Sequence, residues 1–383
     1  MSDRQNDRLR ALEAHGQAVW LDFVERRFLA DGGLKKLVEQ DGVTGVTSNP
    51  SIFEKAMGHG DAYDDDFAKL ANDKALSIMD IYEHLAIADI QAACDILRPA
   101  YDRLDGADGY VSIEVSPYLA QSADDTVLEA RRLWTAVDRP NLMVKVPGTK
   151  AGVPAIRTLI SEGININVTL LFAISAYEAV ATAYVEGLNT RSARGEDIAQ
   201  VASVASFFVS RIDGQIDKAI DDRVKAGDAK TAALKAIRGK VAIANAKIAY
   251  QSYLTMIASE DWRALAAKGA RPQRLLWAST GTKDPAYSDV LYVETLIGKD
   301  TVNTMPPKTM DAFRDHGEAA ETLTQDIEGA RHVLAEAERL GLDLGKVTEA
   351  LVDDGVKLFS AAADTLLGAL TEKREGLAGE TAA

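Results

Sequence analysis

Asn141-Leu142-Met143-Val144-Lys145-Val146-Pro147-Gly148-Thr149 is the stretch from which the fold can be read. Residues 142–146 have the length and apolar character of a buried strand, with Pro140 ahead of it and Pro147-Gly148 closing it. The exception is Lys145. An unpaired ammonium inside a protein is costly, so a lysine here either snorkels to the rim, meets a carboxylate or sheds its proton. A neutral amine in a pocket attacks carbonyl carbon and forms a Schiff base. Which of these applies depends on what the other strands bring to the same place.

Seven further β-like runs flank this one, most of them followed by a helical pattern. Residues 17–23 end in Trp20-Leu21-Asp22-Phe23, and a helical segment reaches Val38. Residues 42–49 come next; after Pro50, the Ser51-x-x-Glu54 spacing of a capping box predicts a helix start. Residues 61–104 are a long helical excursion, whose Asp64-Asp65-Asp66 reads as water-facing acids at a helix start rather than a cation site. Residues 110–116 form the third strand, with a helix in the second half of 123–137. The lysine strand is the fourth, followed by a helix over 151–162. Residues 164–171 with a helix over 173–190, and 201–210 with helical sequence over 211–260, are the fifth and sixth units. Residues 274–279 and 302–305 complete the strands, Pro306-Pro307 closing the last.

Eight strand–helix alternations predict an α/β architecture, a single (β/α)8 barrel with additional helices. Residues 1–383 read as one domain, with a polar N-terminal extension over 1–16 and extra C-terminal helices over 309–383, whose Gly- and Glu-rich end is expected to fray. No Gly-x-Gly-x-x-Gly follows the first strand, and no Gly-x4-Gly-Lys-Ser/Thr occurs, which argues against dinucleotide and nucleoside-triphosphate sites.

Composition narrows the function further. With 47% hydrophobic and 26% charged residues, the chain reads as an ordinary globular protein. A net charge of −15 argues against a nucleic-acid partner, while local cations in a pocket could still hold anionic small molecules. Cys94 is the only cysteine, so no internal disulfide can form and a reducing compartment is expected. No apolar run has the length of a membrane span, and residues 1–16 lack the apolar core of a signal peptide. The expectation is a cytoplasmic protein with no membrane partner, a monomer or a homodimer.

Side chains alternate across a strand, so residues two apart share a face. In the third strand Val111, Ile113 and Val115 form one face, and Ser112, Glu114 and Ser116 the other. In the fifth, Ile164, Ile166, Val168 and Leu170 oppose Asn165, Asn167 and Thr169. Ser206, Phe208 and Ser210 share a face of the sixth, Asp22 lies on the face of Trp20 in the first, and Asn49 ends the second beside Thr47. Asp22, Asn49, Glu114, Lys145, Asn167, Thr169 and Ser206 thus come from six strands, each near its C-terminal end, where barrels carry chemistry. The five histidines (His15, His59, His84, His316, His332) show no paired-ligand spacing and one cysteine cannot build a thiolate site, so neither metal nor cofactor is expected. An inward lysine with two carboxylates suits Schiff-base carbon–carbon chemistry: the iminium is the electron sink, one acid moves protons at nitrogen, the other takes the hydroxyl proton as the bond breaks.

The segments Trp20-Leu21-Asp22, Val46-Thr47-Ser48-Asn49-Pro50-Ser51, Ser112-Ile113-Glu114-Val115, Val144-Lys145-Val146-Pro147, Asn167-Val168-Thr169-Leu170-Leu171-Phe172 and Ser206-Phe207-Phe208-Val209-Ser210-Arg211 resemble the signature segments of the bacterial transaldolases, in order, over residues 17–310. The resemblance implies a metal-independent transfer of dihydroxyacetone between phosphosugars in the pentose phosphate pathway, from sedoheptulose 7-phosphate to glyceraldehyde 3-phosphate. It makes Lys145 the Schiff-base lysine, Glu114 a proton shuttle through a water with help from Thr169, and Asp22 the acid/base at the breaking bond. Asn49 and Asn167 would hold the dihydroxyacetone hydroxyls, Ser206 and Phe208 would shape the substrate site, and Arg211 would meet the phosphate. The seventh strand departs from the pattern. Ala278-Ser279-Thr280-Gly281-Thr282-Lys283 keeps Ser279 but lacks the second phosphate-binding arginine that many members carry, leaving Lys283 as a substitute from a shifted position or as a plain loop lysine. Lys150, beyond Pro147-Gly148, reads as solvated or phosphate-facing, not as the nucleophile. Two rivals stand beside this reading. One is a fructose 6-phosphate aldolase on the same scaffold, whose members tend to carry Gln and Tyr where this chain has Glu114 and Phe208; the other is a non-catalytic barrel that senses a phosphosugar.

Overall fold

Strand residues that are apolar on one side and polar or small on the other need helices against the apolar side, and parallel strands joined by such helices close into a barrel. In the computed structural model, which describes residues 7–58 and 60–381, that is what forms. The strands are β1 (Gln17–Leu21), β2 (Val43–Thr47), β3 (Tyr110–Glu114), β4 (Leu142–Pro147), β5 (Ile166–Leu171), β6 (Ser203–Phe208), β7 (Arg274–Ala278) and β8 (Thr301–Met305). Each pairs in parallel with the next, and β8 closes on β1, with Trp20 opposite Thr304 and Leu21 opposite Met305. The (β/α)8 barrel read from the alternations is therefore observed. Val111 and Ile113 of β3 and Leu142, Val144 and Val146 of β4 are buried against the helices, each such side chain contributing about 1.5–3 kcal/mol.

The expected strands overran the observed ones at their C-terminal ends. Asn49, Ser116, Ser210 and Ser279 lie past the last ladder residue, because the tips leave the sheet to make the mouth of the barrel. At the opposite end Trp20 fills the interior, its Nε1 donating to Asp108 Oδ1 at 2.9 Å. Gly45 faces that indole so closely that a Cβ would stand 2.3 Å from the ring, which is why β2 carries a glycine there.

Four local expectations changed. Within the stretch read as a polar extension, Asp7–Ala14 folds as a helix with Leu9 and Leu12 fully buried; a short amphipathic helix rich in charge is easily taken for a solvated tail. Ser51 does not cap the helix after β2. That helix is Pro50–Gly58, and Asn49 caps it, its Oδ1 accepting from Ile52 N at 3.0 Å, with proline suited to the first helical turn. Alternation along β5 breaks at Leu170, whose φ of +58° accompanies a register shift against β6 between Val168 and Leu171. Asp64 and Asp66 do begin a helix (Asp64–Ala71), but they are ion-paired with Lys373 and Arg26 rather than merely solvated.

The C-terminal segment folds as three helices, Pro307–His316, Ile327–Arg339 and Leu344–Thr381. The last packs over the C-terminal ends of the strands, burying Leu351, Phe359, Leu366 and Leu370. Gly355 sits where a Cβ would come within 2.7 Å of Leu170, the strained residue of β5. Tyr118 donates to Asp364, and Arg374 donates to the carbonyls of Leu76 and Asp73, tying the helix down beyond β3. Among the described residues no helix is long and apolar enough to cross a membrane.

Candidate active site

Register brings the first three side chains together. Glu114 of β3 pairs with Lys145 of β4, which pairs with Asn167 of β5, so the three stand side by side on the inner face. Lys145 Nζ donates to the Ser48 carbonyl at 3.0 Å and lies 3.3 Å from Glu114 Oε2, an ion-pair contact without the alignment of a hydrogen bond. Both side chains are 4–5 % exposed. Of the alternatives open for a lysine in this strand, the structure shows it paired with a carboxylate. A carbonyl acceptor from the β2 tip is invisible to any reading of side-chain patterns, and the Ser48 contact was missed for that reason.

Burial pushes the Glu114 carboxyl above the usual carboxylate range, with the adjacent Lys145 ammonium pulling it part of the way back. Neither Glu114 oxygen makes a hydrogen bond among the described residues, and the same holds for the fully buried Thr169 Oγ1 on β5. Buried polar atoms without partners are uncommon, and three of them stand on β3 and β5, the strands on either side of the lysine strand. Ser48, Asn49 and Glu114 also wall a cavity of about 390 Å³ that extends beneath the C-terminal helix to Leu366 and Leu367.

Asp22 follows the last residue of β1, its main-chain N donating to Met305 O at 2.8 Å. Its Oδ1 accepts from Thr47 Oγ1 at 2.6 Å, and Thr47 Oγ1 in turn lies 2.7 Å from Thr304 Oγ1 of β8. Burial raises the Asp22 carboxyl above its ordinary value, opposed by the Thr47 hydrogen bond and by the charges of Lys145, Arg211 and Lys55. A raised carboxyl makes the native state hold a proton that the unfolded chain has released, so stability falls as pH rises from the ordinary value of 3.8 through the raised one. Asp22→Asn should therefore melt higher than wild type at pH 7, and thermal melts should show that gap narrowing as pH falls toward 4.

Asn167 and Ser206 serve each other: Ser206 Oγ donates to Asn167 Oδ1 at 2.6 Å, and Asn167 Nδ2 donates to Ser112 Oγ at 3.0 Å. Ser112 was seen on the inner face but not singled out. Asn49, its oxygen engaged in the helix cap, lines the cavity, and its amide nitrogen makes no hydrogen bond among the described residues. Arg211 lies one residue into the helix Ser210–Lys225, its guanidinium over the Phe208 ring at 5.1 Å. It makes no hydrogen bond or ion pair among the described residues, and burial lowers its pKa against the pull of Asp22 and Glu114. Phe208 also packs on Phe172, 5.2 Å between centroids. Ser279, at φ +56°, brings its hydroxyl within 2.9 Å of Ser210 Oγ. Lys283 goes elsewhere. It is exposed and lines a groove in which Asp213, Asp217, Asp221, Asp222 and Asp284 are interspersed with Lys218, Lys225 and Arg238. Lys150 is exposed in the turn after β4.

The family model described as Transaldolase/Fructose-6-phosphate aldolase matches residues 19–370, which span all eight strands except the first two residues of β1. The chain belongs to the transaldolase/fructose-6-phosphate aldolase family. Curated relatives of this family agree over nearly full length. A transaldolase of Thiobacillus denitrificans is 51% identical over 352 residues, covering 92% of this chain and 96% of its own. A transaldolase of Trichodesmium erythraeum is 48% identical over 367 residues (94% and 96%), and transaldolase 1 of Streptomyces avermitilis 46% over 371 residues (97% and 96%). The match to the transaldolase/fructose-6-phosphate aldolase family reaches residue 370, well into the C-terminal helix that packs over the barrel mouth.

Proposed function

We propose that the chain is a transaldolase of the pentose phosphate pathway. It moves a dihydroxyacetone unit from sedoheptulose 7-phosphate to glyceraldehyde 3-phosphate, giving erythrose 4-phosphate and fructose 6-phosphate. The observation that carries this is the Lys145 amine, 3.3 Å from Glu114 and buried among inward polar side chains. Lys145 attacks the ketone carbon. Glu114, raised by burial, accepts a proton from the amine and returns one to the carbinol hydroxyl, which leaves as water. A water between Glu114 and Thr169 would satisfy the unpaired oxygens of both. Asp22 then takes the C4 hydroxyl proton, the C3–C4 bond breaks, and its electron pair passes into the iminium to give an enamine. The enamine adds to the aldehyde of the acceptor, Asp22 returns its proton to the new alkoxide, and hydrolysis frees Lys145. Asn49 and Asn167 hold the hydroxyls of the three-carbon unit, with Ser206 orienting Asn167.

For the phosphate, the unpaired guanidinium of Arg211 is the cation in place, with the Ser210 and Ser279 hydroxyls beside the start of its helix. Arg211→Ala should raise KM for sedoheptulose 7-phosphate by roughly 10²-fold, in line with a charged hydrogen-bonding pair, and leave KM for dihydroxyacetone little changed. Equal effects on both would take the phosphate away from Arg211.

An aldolase releasing free dihydroxyacetone is the second reading. Phe208 carries no hydroxyl with which to help a water finish that release, which favours transfer. An assay of erythrose 4-phosphate formation from sedoheptulose 7-phosphate, with and without glyceraldehyde 3-phosphate, separates the two: transfer requires the acceptor for sustained turnover, aldol cleavage does not. The same reading has the protein acting in the cytoplasm as a monomer or homodimer, without cofactor, nucleic acid or membrane.

A further inference from the structure

We propose that Thr304, on β8, is a positioning residue for Asp22, acting through the hydroxyl of Thr47. The proposal rests on the reading of Asp22 as the acid/base of carbon–carbon cleavage. Thr47 is the only hydrogen-bond partner of the Asp22 carboxylate among the described residues, so what orients Thr47 orients Asp22. Thr47 has one hydroxyl proton and two close oxygens, Asp22 Oδ1 at 2.6 Å and Thr304 Oγ1 at 2.7 Å. A carboxylate can only accept, so the Thr47 proton goes to Asp22 and Thr47 Oγ1 must accept from Thr304.

The direction reverses once Asp22 has taken a proton. The carboxylic acid then donates to Thr47, and Thr47 turns its own proton to Thr304. Asp22 keeps a partner in both protonation states while no heavy atom moves, which is what a group alternating between base and acid requires. Thr47 and Thr304 are 2 % and 3 % exposed, so bulk water cannot stand in for either hydroxyl. Lys145 on β4, Arg211 on the helix after β6 and Lys55 on the helix after β2 face Asp22 with positive charge, and Glu114 on β3 with negative charge. These long-range charges bias its ionisation but supply no direction. The hydroxyl chain supplies it, and β8 holds the main chain of the same residue through Met305 O.

Thr304→Val keeps the branched shape and removes the hydroxyl; Thr304→Ser restores it. With enzyme in excess over sedoheptulose 7-phosphate and no acceptor, release of erythrose 4-phosphate should slow roughly tenfold in Thr304→Val, as for loss of one link in a cooperative chain. KM should stay unchanged, and Thr304→Ser should recover most of the rate. Borohydride trapping of dihydroxyacetone on Lys145, which needs no bond cleavage, should proceed at the wild-type rate in both variants. A wild-type cleavage rate in Thr304→Val overturns the proposal, as does a Thr304→Ser enzyme no better than Thr304→Val, or a parallel loss of the trapped adduct. No erythrose 4-phosphate from the wild-type enzyme would remove the functional reading, and this proposal with it.

Discussion

Lys145→Ala is expected to abolish turnover, by on the order of 10⁵-fold or more, because the covalent route disappears with its nucleophile. No neighbour can take over. The other nitrogen on the same inner face at that level is the amide of Asn167, which is not a nucleophile, and Lys150 lies exposed in the turn beyond β4. The variant should still fold. Removing the ammonium leaves Glu114 buried without its cation, but a carboxyl already raised by burial takes up a proton and becomes a neutral group. Circular dichroism and thermal melting check the fold, and the erythrose 4-phosphate assay checks the loss. Residual turnover within tenfold of wild type would mean that another group carries the chemistry.

Glu114→Gln is expected to slow formation of the Schiff base by about two to four orders of magnitude, the range for a positioned acid/base. Glutamine preserves shape and one acceptor oxygen but cannot take the amine proton or return it to the carbinol. It also leaves a buried ammonium without its counter-charge, a change that costs about 3–5 kcal/mol where nothing else compensates. Here the Ser48 carbonyl, 3.0 Å from Nζ, remains as an acceptor and softens that loss. Quench-flow with borohydride reads the rate of adduct formation directly, at a temperature where melting shows the variant folded. Adduct appearing as fast as in wild type would remove Glu114 from the proton transfers.

Much of the barrel was legible because its strands are long enough to show alternation. Val111-Ser112-Ile113-Glu114 and Ile166-Asn167-Val168-Thr169 each state which face is polar, and the observed register sets Glu114, Lys145 and Asn167 abreast. What escaped has physical causes. The bulge at Leu170 leaves no mark in an apolar run, since leucine is an uncommon residue at positive φ and nothing local announces it. Asn49 was read as a substrate ligand; its second task, capping the next helix, shows only when the start of that helix is known. Thr304 sits on β8, Thr301–Met305, a strand whose alternation Thr-Val-Asn-Thr-Met is polar on both faces, so no face could be assigned. Its contact with Thr47 spans 257 positions in the chain and arises only when β8 closes on β1. Lys283, read either as a shifted stand-in for a second phosphate-binding arginine or as a plain loop lysine, is exposed in a groove with five aspartates, four of which, between Asp213 and Asp222, meet it only in the fold.

The most direct test is the covalent intermediate itself. Incubation with fructose 6-phosphate and borohydride, followed by peptide mass analysis, should show a reduced dihydroxyacetone adduct on the peptide that contains Lys145 and nowhere else. An unmodified Lys145, or an adduct on Lys150 instead, would contradict the account.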